Sequence, residues 1–397
     1  MTNYNKKINH LLFVDGLRAV AALYVVINHA AGQYFESKAD LGNTMKNLSI
    51  NFWNYGHFAV NLFIVLSGFC LMLPVINNKY FLKDGWVHFL KKRLIRILPP
   101  YYFAMVFALL LIHFLIGKKT GKLWDISVPV HTKDIITHIF LIHDFFLDSV
   151  YKINGVFWSV AVEFRIYLLF PLLVVLWRKT SPLFTIFTSL IVCYSMYIVL
   201  KYAKIYYPSI YTFNSGVNPY LVLFVMGMLS ADIVYSSGKI SQLVRLPWNL
   251  FTILFAILAI ILNQMETYYH FKPSGLLIEL KDIIAGISCS SLLVYISTKS
   301  CQKNNCIYKV LIYKPLVFIG TFAYSIYLIH EPILQLLTQY FVNRLHLSTY
   351  SSAWLLIVLG TVIIIPASYL FFIFFERPFL MLIKKPVKMR TVTNHAP

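Results

Sequence analysis

The chain has 397 residues, 59% of them hydrophobic and 13% charged, with a net charge of +20 and a mean hydropathy of +0.69. Soluble domains average about 25% charged residues, so a soluble globular protein is excluded and an all-α integral membrane protein is expected. The excess of Lys and Arg is read as basic loops on anionic lipid, so the implied partner is the lipid bilayer and not nucleic acid.

Apolar runs long enough to cross a bilayer fall at 11–33, 56–77, 98–117, 156–177, 182–201, 217–235, 248–264, 279–297, 315–341 and 353–376. This reading gives about ten transmembrane helices. The stretch 135–147 is too short and too polar to cross, and is read as interfacial or re-entrant. With the N-terminus inside, cytoplasmic segments hold 21 of the 35 basic residues and extracytoplasmic segments hold 11. The positive-inside rule then puts both termini in the cytoplasm. The division expected is a polytopic membrane domain, 1–378, with a short basic cytoplasmic tail, 379–397. The five cysteines are scattered and odd in number, and neither a disulfide framework nor a metal site is expected from them. The first span is not read as a cleaved signal peptide, because Asp15 and Arg18 interrupt its apolar core.

That first span, LLFVDGLRAVAALYVVINHAAGQY, carries Asp15 and Arg18 near one end and His29 near the other. Ionised groups in a bilayer helix cost about 2.5–3.5 kcal/mol each at its centre, so their presence predicts a polar interior. Eleven residues on a helix is about three turns plus roughly 20°, so Arg18 and His29 share a face about 16 Å apart along the axis. Asp15, three residues before Arg18, is placed to hold the guanidinium.

The second span contains FIVLSGF, with Ser67 and Gly68 as a close-packing pair. The next loop is the most basic short stretch, KKRLIRILPPYY, and Pro99-Pro100 is read as a break before the third span. Lys92, Arg93 and Arg96 there form a candidate clamp for a polyanion, since arginine forks match phosphate oxygens. The long loop 118–155 ends in Asn154-Gly155 and leads into GVFWSVAVEFRIYLLFPLL. Its Glu163 lies at about the depth of His29 and is read as the carboxylate that orients it, with pairing to Arg165 as the structural alternative. The aromatic residues Trp53, Tyr55 and Trp158 are read as an outer belt or sugar platform. The ninth span, YSIYLIHEPILQLL, places Tyr324, Tyr327 and His330 near one face, with a bend expected at Pro332.

In order along the chain, DGLRAVAALYVVINHA, FIVLSGF, KKRLIRILPPYY, FWSVAVEFRIYLLFP, YSIYLIHEP and FERPF resemble the bacterial membrane acyltransferase-3 family of O-acyltransferases. The Arg-x10-His element of that family falls on Arg18 and His29. Its Arg-Arg-x-x-Arg element falls on Lys92, Arg93 and Arg96, with Lys in the first place, and its Trp-Ser-x-x-x-Glu element on Trp158, Ser159 and Glu163. The resemblance implies acyl-CoA as donor, acetyl-CoA foremost. It implies a hydroxyl of a sugar or glycan as acceptor, and the cytoplasmic membrane of a bacterium as location. His29 and Glu163 are then the catalytic pair. Arg18, Lys92, Arg93 and Arg96 hold the donor, and Asp15, Ser67, Trp158, Tyr327 and His330 support them. No appended esterase-like domain is expected, since the chain ends shortly after the last span. A transporter or flippase without acyl chemistry is the competing class, and a small product such as a macrolide the competing acceptor.

Overall fold

The computed structural model describes residues 11–34, 55–116, 123–212, 215–268, 276–299 and 305–384. Trp53, Cys301 and the end of the basic tail lie outside the described residues. Within them the chain is helical, with no β-strand beyond a single antiparallel bridge between Phe146 and Ile210.

The helices are α1 (Leu12–Gly32), α2 (Gly56–Asn77), α3 (Gly85–Phe114), α4 (Thr132–Ile139), α5 (Phe157–Lys179), α6 (Pro182–Tyr206) and α7 (Tyr220–Tyr235). They continue with α8 (Trp248–Tyr268), α9 (Leu276–Lys299), α10 (Cys306–Leu311), α11 (Lys314–Gly320), α12 (Ala323–Tyr340), α13 (Thr349–Phe371) and α14 (Arg377–Lys384), the last two joined by a π-helical turn at Phe372–Glu376. Among the described residues eight are long and apolar enough to cross a membrane, or up to ten if each of two bent pairs is one span. The ten spans read from hydropathy lie at the top of this range.

The bundle is built around α1, which packs against α2, α11, α12 and α13. Close approach is made possible by glycine. A Cβ on Gly68 of α2 would fall 2.0 Å from the Phe224 carbonyl oxygen, and one on Gly227 of α7 would fall 2.0 Å from that of Val65. The two backbones therefore touch, as small residues allow where lipid supplies no hydrophobic drive.

Three expectations are corrected. The basic cluster is not in a loop, because α3 begins at Gly85 and runs through Pro99 and Pro100. A proline in a membrane helix is tolerated where neighbouring groups satisfy the freed carbonyls, and the Tyr324 hydroxyl donates to the Ile97 carbonyl at 3.2 Å beside this gap. The ninth span breaks before Ala323, where α11 and α12 meet at 74°, while α12 continues through Pro332. The Leu328 carbonyl, which Pro332 leaves without its helical donor, accepts from Asn154 Nδ2 at 2.8 Å. Arg165 does not pair with Glu163. Two residues apart on a helix are about 200° apart, and Arg165 instead pairs with buried Asp144 and donates to the Leu141 carbonyl at 2.7 Å and the Gly216 carbonyl at 3.0 Å.

The segment 123–155 folds over one end of the bundle as a cap of short helical turns, α4 among them. Several of its polar side chains are buried, Asp134, His138, His143 and Asp144 among them, while Lys133 and Asp148 are exposed. His138 and His143 stack with ring centroids 3.7 Å apart and planes 9° apart. Burial pushes His138 down to about 4 and holds His143 well below the ordinary histidine range, so both are neutral near pH 7.

Candidate active site

Two polar regions follow one another along α1. The first is a cavity of about 500 Å³, within the usual range for a ligand pocket. Arg18, Arg93, Arg96, Glu163, Tyr167 and Glu376 line it. Arg18 donates to Asp15 Oδ1 at 3.1 Å and to the Cys70 sulfur at 3.4 Å, so the expected Asp15–Arg18 pair is present. Arg93 and Arg96 form no ion pair among the described residues, although three carboxylates line the same cavity. Lys92 is not part of this lining. Arg93 and Arg96, three residues apart, both reach the cavity, whereas Lys92, four residues before Arg96 and on the same side of the helix, does not line it.

Glu163 faces this cavity. It accepts from Ser67 Oγ at 2.7 Å and from the Tyr167 hydroxyl. Glu376, at the π-helical turn, accepts from Ser325 Oγ at 2.5 Å. Towards the other end of the cavity, Ser159 and Tyr327 share a hydrogen bond of 2.6 Å between their hydroxyls.

The second region begins beyond Tyr327. His29 Nδ1 lies 2.6 Å from Glu331 Oε1 and 3.3 Å from His330 Nε2. The tautomers follow from the partners. His330 Nδ1 faces the Tyr327 carbonyl at 2.8 Å, and a carbonyl only accepts, so this nitrogen carries the hydrogen. His330 Nε2 is then a lone pair. His29 Nδ1 carries a hydrogen towards Glu331, with His330 beside it, and His29 Nε2 is left as a lone pair with no bond among the described residues. Its side chain is 27% exposed, so this nitrogen is within reach of a substrate.

Glu331, not Glu163, is therefore the carboxylate on His29. Helical rise places Glu163 at a similar depth, but depth does not say which helix faces which. The signal for Glu331 was present in the sequence: a carboxylate between His330 and Pro332 inside an apolar run. The Asn154-Gly155 turn closes on the same place. A Cβ on Gly155 would come within 2.9 Å of Glu331 Oε2, so a larger residue here would push the Glu331 carboxylate aside. Trp158 points away from the cavity and stacks on His57, with centroids 6.2 Å apart and planes 20° apart.

Residues 11–373 match the acyltransferase-domain family known as acyltransferase-3. The chain belongs to this family. Every motif that underlies the resemblance lies within the match except the last, FERPF. The chain is 24% identical over 360 residues to the putative peptidoglycan O-acetyltransferase YrhL of Bacillus subtilis, covering 84% of this chain and 50% of that protein. It is 23% identical over 349 residues to the O-acetyltransferase OatA of Staphylococcus aureus, covering 83% of this chain and 51% of that protein. A shorter match, 29% over 171 residues, is to the acyltransferase MdmB of Streptomyces mycarofaciens, covering 42% of this chain and 40% of that protein. The chain thus spans about half the length of the first two relatives. No solved structure matches it.

Proposed function

We propose that this membrane acyltransferase moves an acyl group, acetyl foremost, from acyl-CoA to a hydroxyl of a cell-envelope glycan. The names of the two longest-matching relatives favour a peptidoglycan-type acceptor. One observation supports this reading above the others: a histidine oriented by a carboxylate, with one nitrogen open, lies beyond a cavity that holds two arginines with no direct ion pair among the described residues.

In this reading Arg93 and Arg96 hold the phosphates of the nucleotide end, where charge-assisted forks are strongest. That end of the bundle faces the cytoplasm, where acyl-CoA is made. The pantetheine arm runs through the cavity past Arg18 towards Tyr327 and His29. His29 Nε2 takes the proton of the acceptor hydroxyl as its oxygen attacks the thioester carbonyl. The C–O bond forms, the C–S bond breaks, and the departing thiolate takes the proton from His29. Glu331 holds the imidazole in the tautomer that leaves Nε2 open, and stabilises the imidazolium while it lasts. Glu163, through Ser67 and Tyr167, shapes the wall along which the donor lies.

The test is CoA release from acetyl-CoA by purified protein in liposomes, with and without a glycan acceptor. Acceptor-dependent release is expected, and His29→Ala should lower it by about 10³-fold. Equal release by His29→Ala would remove His29 as the base. Failure of the wild-type protein to bind acyl-CoA would overturn the reading.

A further inference from the structure

A second histidine–carboxylate pair stands at the same end of the bundle, and the reaction above does not use it. His57, the second residue of α2, has its Nε2 2.9 Å from Asp282 Oδ1 on α9. The same oxygen accepts from Asn61 Nδ2 at 2.9 Å, and the Tyr220 hydroxyl on α7 lies 3.3 Å from His57 Nε2. A carboxylate accepts, so Nε2 carries the hydrogen and Nδ1 is the lone pair. The carboxylate is sealed and the ring is not, with side chains 1% and 28% exposed. The His29–Glu331 pair is built alike, at 27% and 11%.

The two pairs are neighbours. A Cβ on Gly56 would fall 2.2 Å from Asn28 Oδ1, so the residues that precede His57 and His29 are in contact. Neither member of the second pair lines the cavity, but Val60, less than one turn from His57, does, as does Ser159 beside Trp158. Trp158 lies parallel to the His57 ring, and Tyr220 meets the same ring at 60°. The imidazole is thereby held among aromatic groups.

Asp282 is fully buried, and its Oδ2 finds no partner among the described residues. A buried carboxylate without full compensation is costly in a membrane protein, and intramembrane groups of this kind are retained for a use. Acyl transfer moves one proton, and His29 accepts it. A second imidazole, its Nε2 engaged by a carboxylate, is left to bind a donor hydrogen at Nδ1.

We propose that His57, oriented by Asp282, is a binding residue for the acceptor, taking a hydrogen bond from a second hydroxyl while the reacting hydroxyl is presented to His29. The acceptor class is accordingly a polyhydroxylated one, a sugar ring or a pair of linked rings, and not a simple alcohol. This inference rests on the acyl-transfer reading of the same site.

The experiment compares wild type, His57→Asn and Asp282→Asn in liposomes, with acetyl-CoA as donor and a soluble N-acetylglucosamine oligomer as acceptor probe. Asp282→Asn removes the negative charge that holds the hydrogen on Nε2, and the new amide can instead donate to Nε2, which moves the hydrogen onto Nδ1 and removes the acceptor lone pair. Both variants should raise the acceptor KM about tenfold, by more than any fall in kcat, while acyl-CoA binds with unchanged Kd. Unchanged acceptor KM in both variants overturns the proposal and leaves the acyl-transfer reading intact. A fall confined to kcat also overturns it, in favour of an acid–base role for His57. Loss of acyl-CoA binding in both variants overturns it as well, since the pair would then be structural. A wild-type protein that binds no acyl-CoA defeats the acyl-transfer reading and this inference with it.

Discussion

The cavity and the histidine end treat charge in opposite ways. In the cavity the carboxylates Glu163 and Glu376 are satisfied by hydroxyls, from Ser67 and Tyr167 and from Ser325, while Arg93 and Arg96 have no ion pair among the described residues. At the histidine end each carboxylate is spent on an imidazole, Glu331 on His29 and Asp282 on His57. A cavity in which two arginines stand free of direct ion pairs is suited to bind an anion, because a phosphate can bridge both guanidinium groups. A region that pairs each ring with a carboxylate is suited to handle protons, because the pairing chooses which nitrogen is open. The cap offers a third arrangement. His138 and His143 stack on each other, and among the described residues no carboxylate forms an ion pair with either.

This contrast is most exposed to Glu331→Gln. The new amide can donate to His29 Nδ1, which moves the hydrogen to Nε2 and removes the lone pair. A fall of about 10² in kcat with little change in donor KM is expected. A variant that keeps its kcat would mean that His29 does not depend on its carboxylate.

The histidines of the cap should show themselves in stability. For His138 the folded state holds a value of about 4 against about 6.5 unfolded. Between these values the unfolded chain binds more protons, so stability rises with pH and is lost as pH falls. Going from pH 7 to 4, His138 alone should lower the stability of the cap by about 3 kcal/mol. Amide hydrogen exchange over residues 123–155 measures this, and His138→Phe should flatten the dependence. A cap whose protection is equally strong at pH 7 and pH 4 would refute the neutral pair.

A smaller effect is expected from Arg96→Ala. Donor KM should rise about tenfold at low salt, with a lesser rise at high salt, since screening weakens what remains of an ionic contact. An equal loss in kcat with no change in donor KM would place Arg96 outside donor binding. Glu163→Gln should be milder still, a few-fold rise in donor KM, because Gln keeps the size and one acceptor oxygen for Ser67 and Tyr167. If Glu163→Gln instead matched Glu331→Gln in kcat, the separation of the two regions would fail.

Much of this was readable along single helices. The period of 3.6 residues joined Asp15 to Arg18, and it joined Arg93 to Arg96 on one face. Hydropathy counted the spans, because lipid requires about 20 apolar residues for each crossing. Helical rise also put Glu163 at a depth near that of His29, and there its information ended. Two residues at one depth can lie on helices that never face each other, as Glu163 and His29 show.

What the amino-acid sequence by itself determined is therefore the class, the number of spans and the groups that share a face within one helix, since these depend on local repeat and on the cost of polar groups in lipid. Only the tertiary structure decided the pairings between helices. Glycines set how closely backbones approach, at Gly68 against Phe224 and Gly227 against Val65. Side chains from distant segments replaced the hydrogen bonds that prolines remove, as Asn154 does for Leu328. Which carboxylate reaches which histidine follows from that packing, because a hydrogen bond is made at about 3 Å and no one-dimensional period extends across a gap between helices.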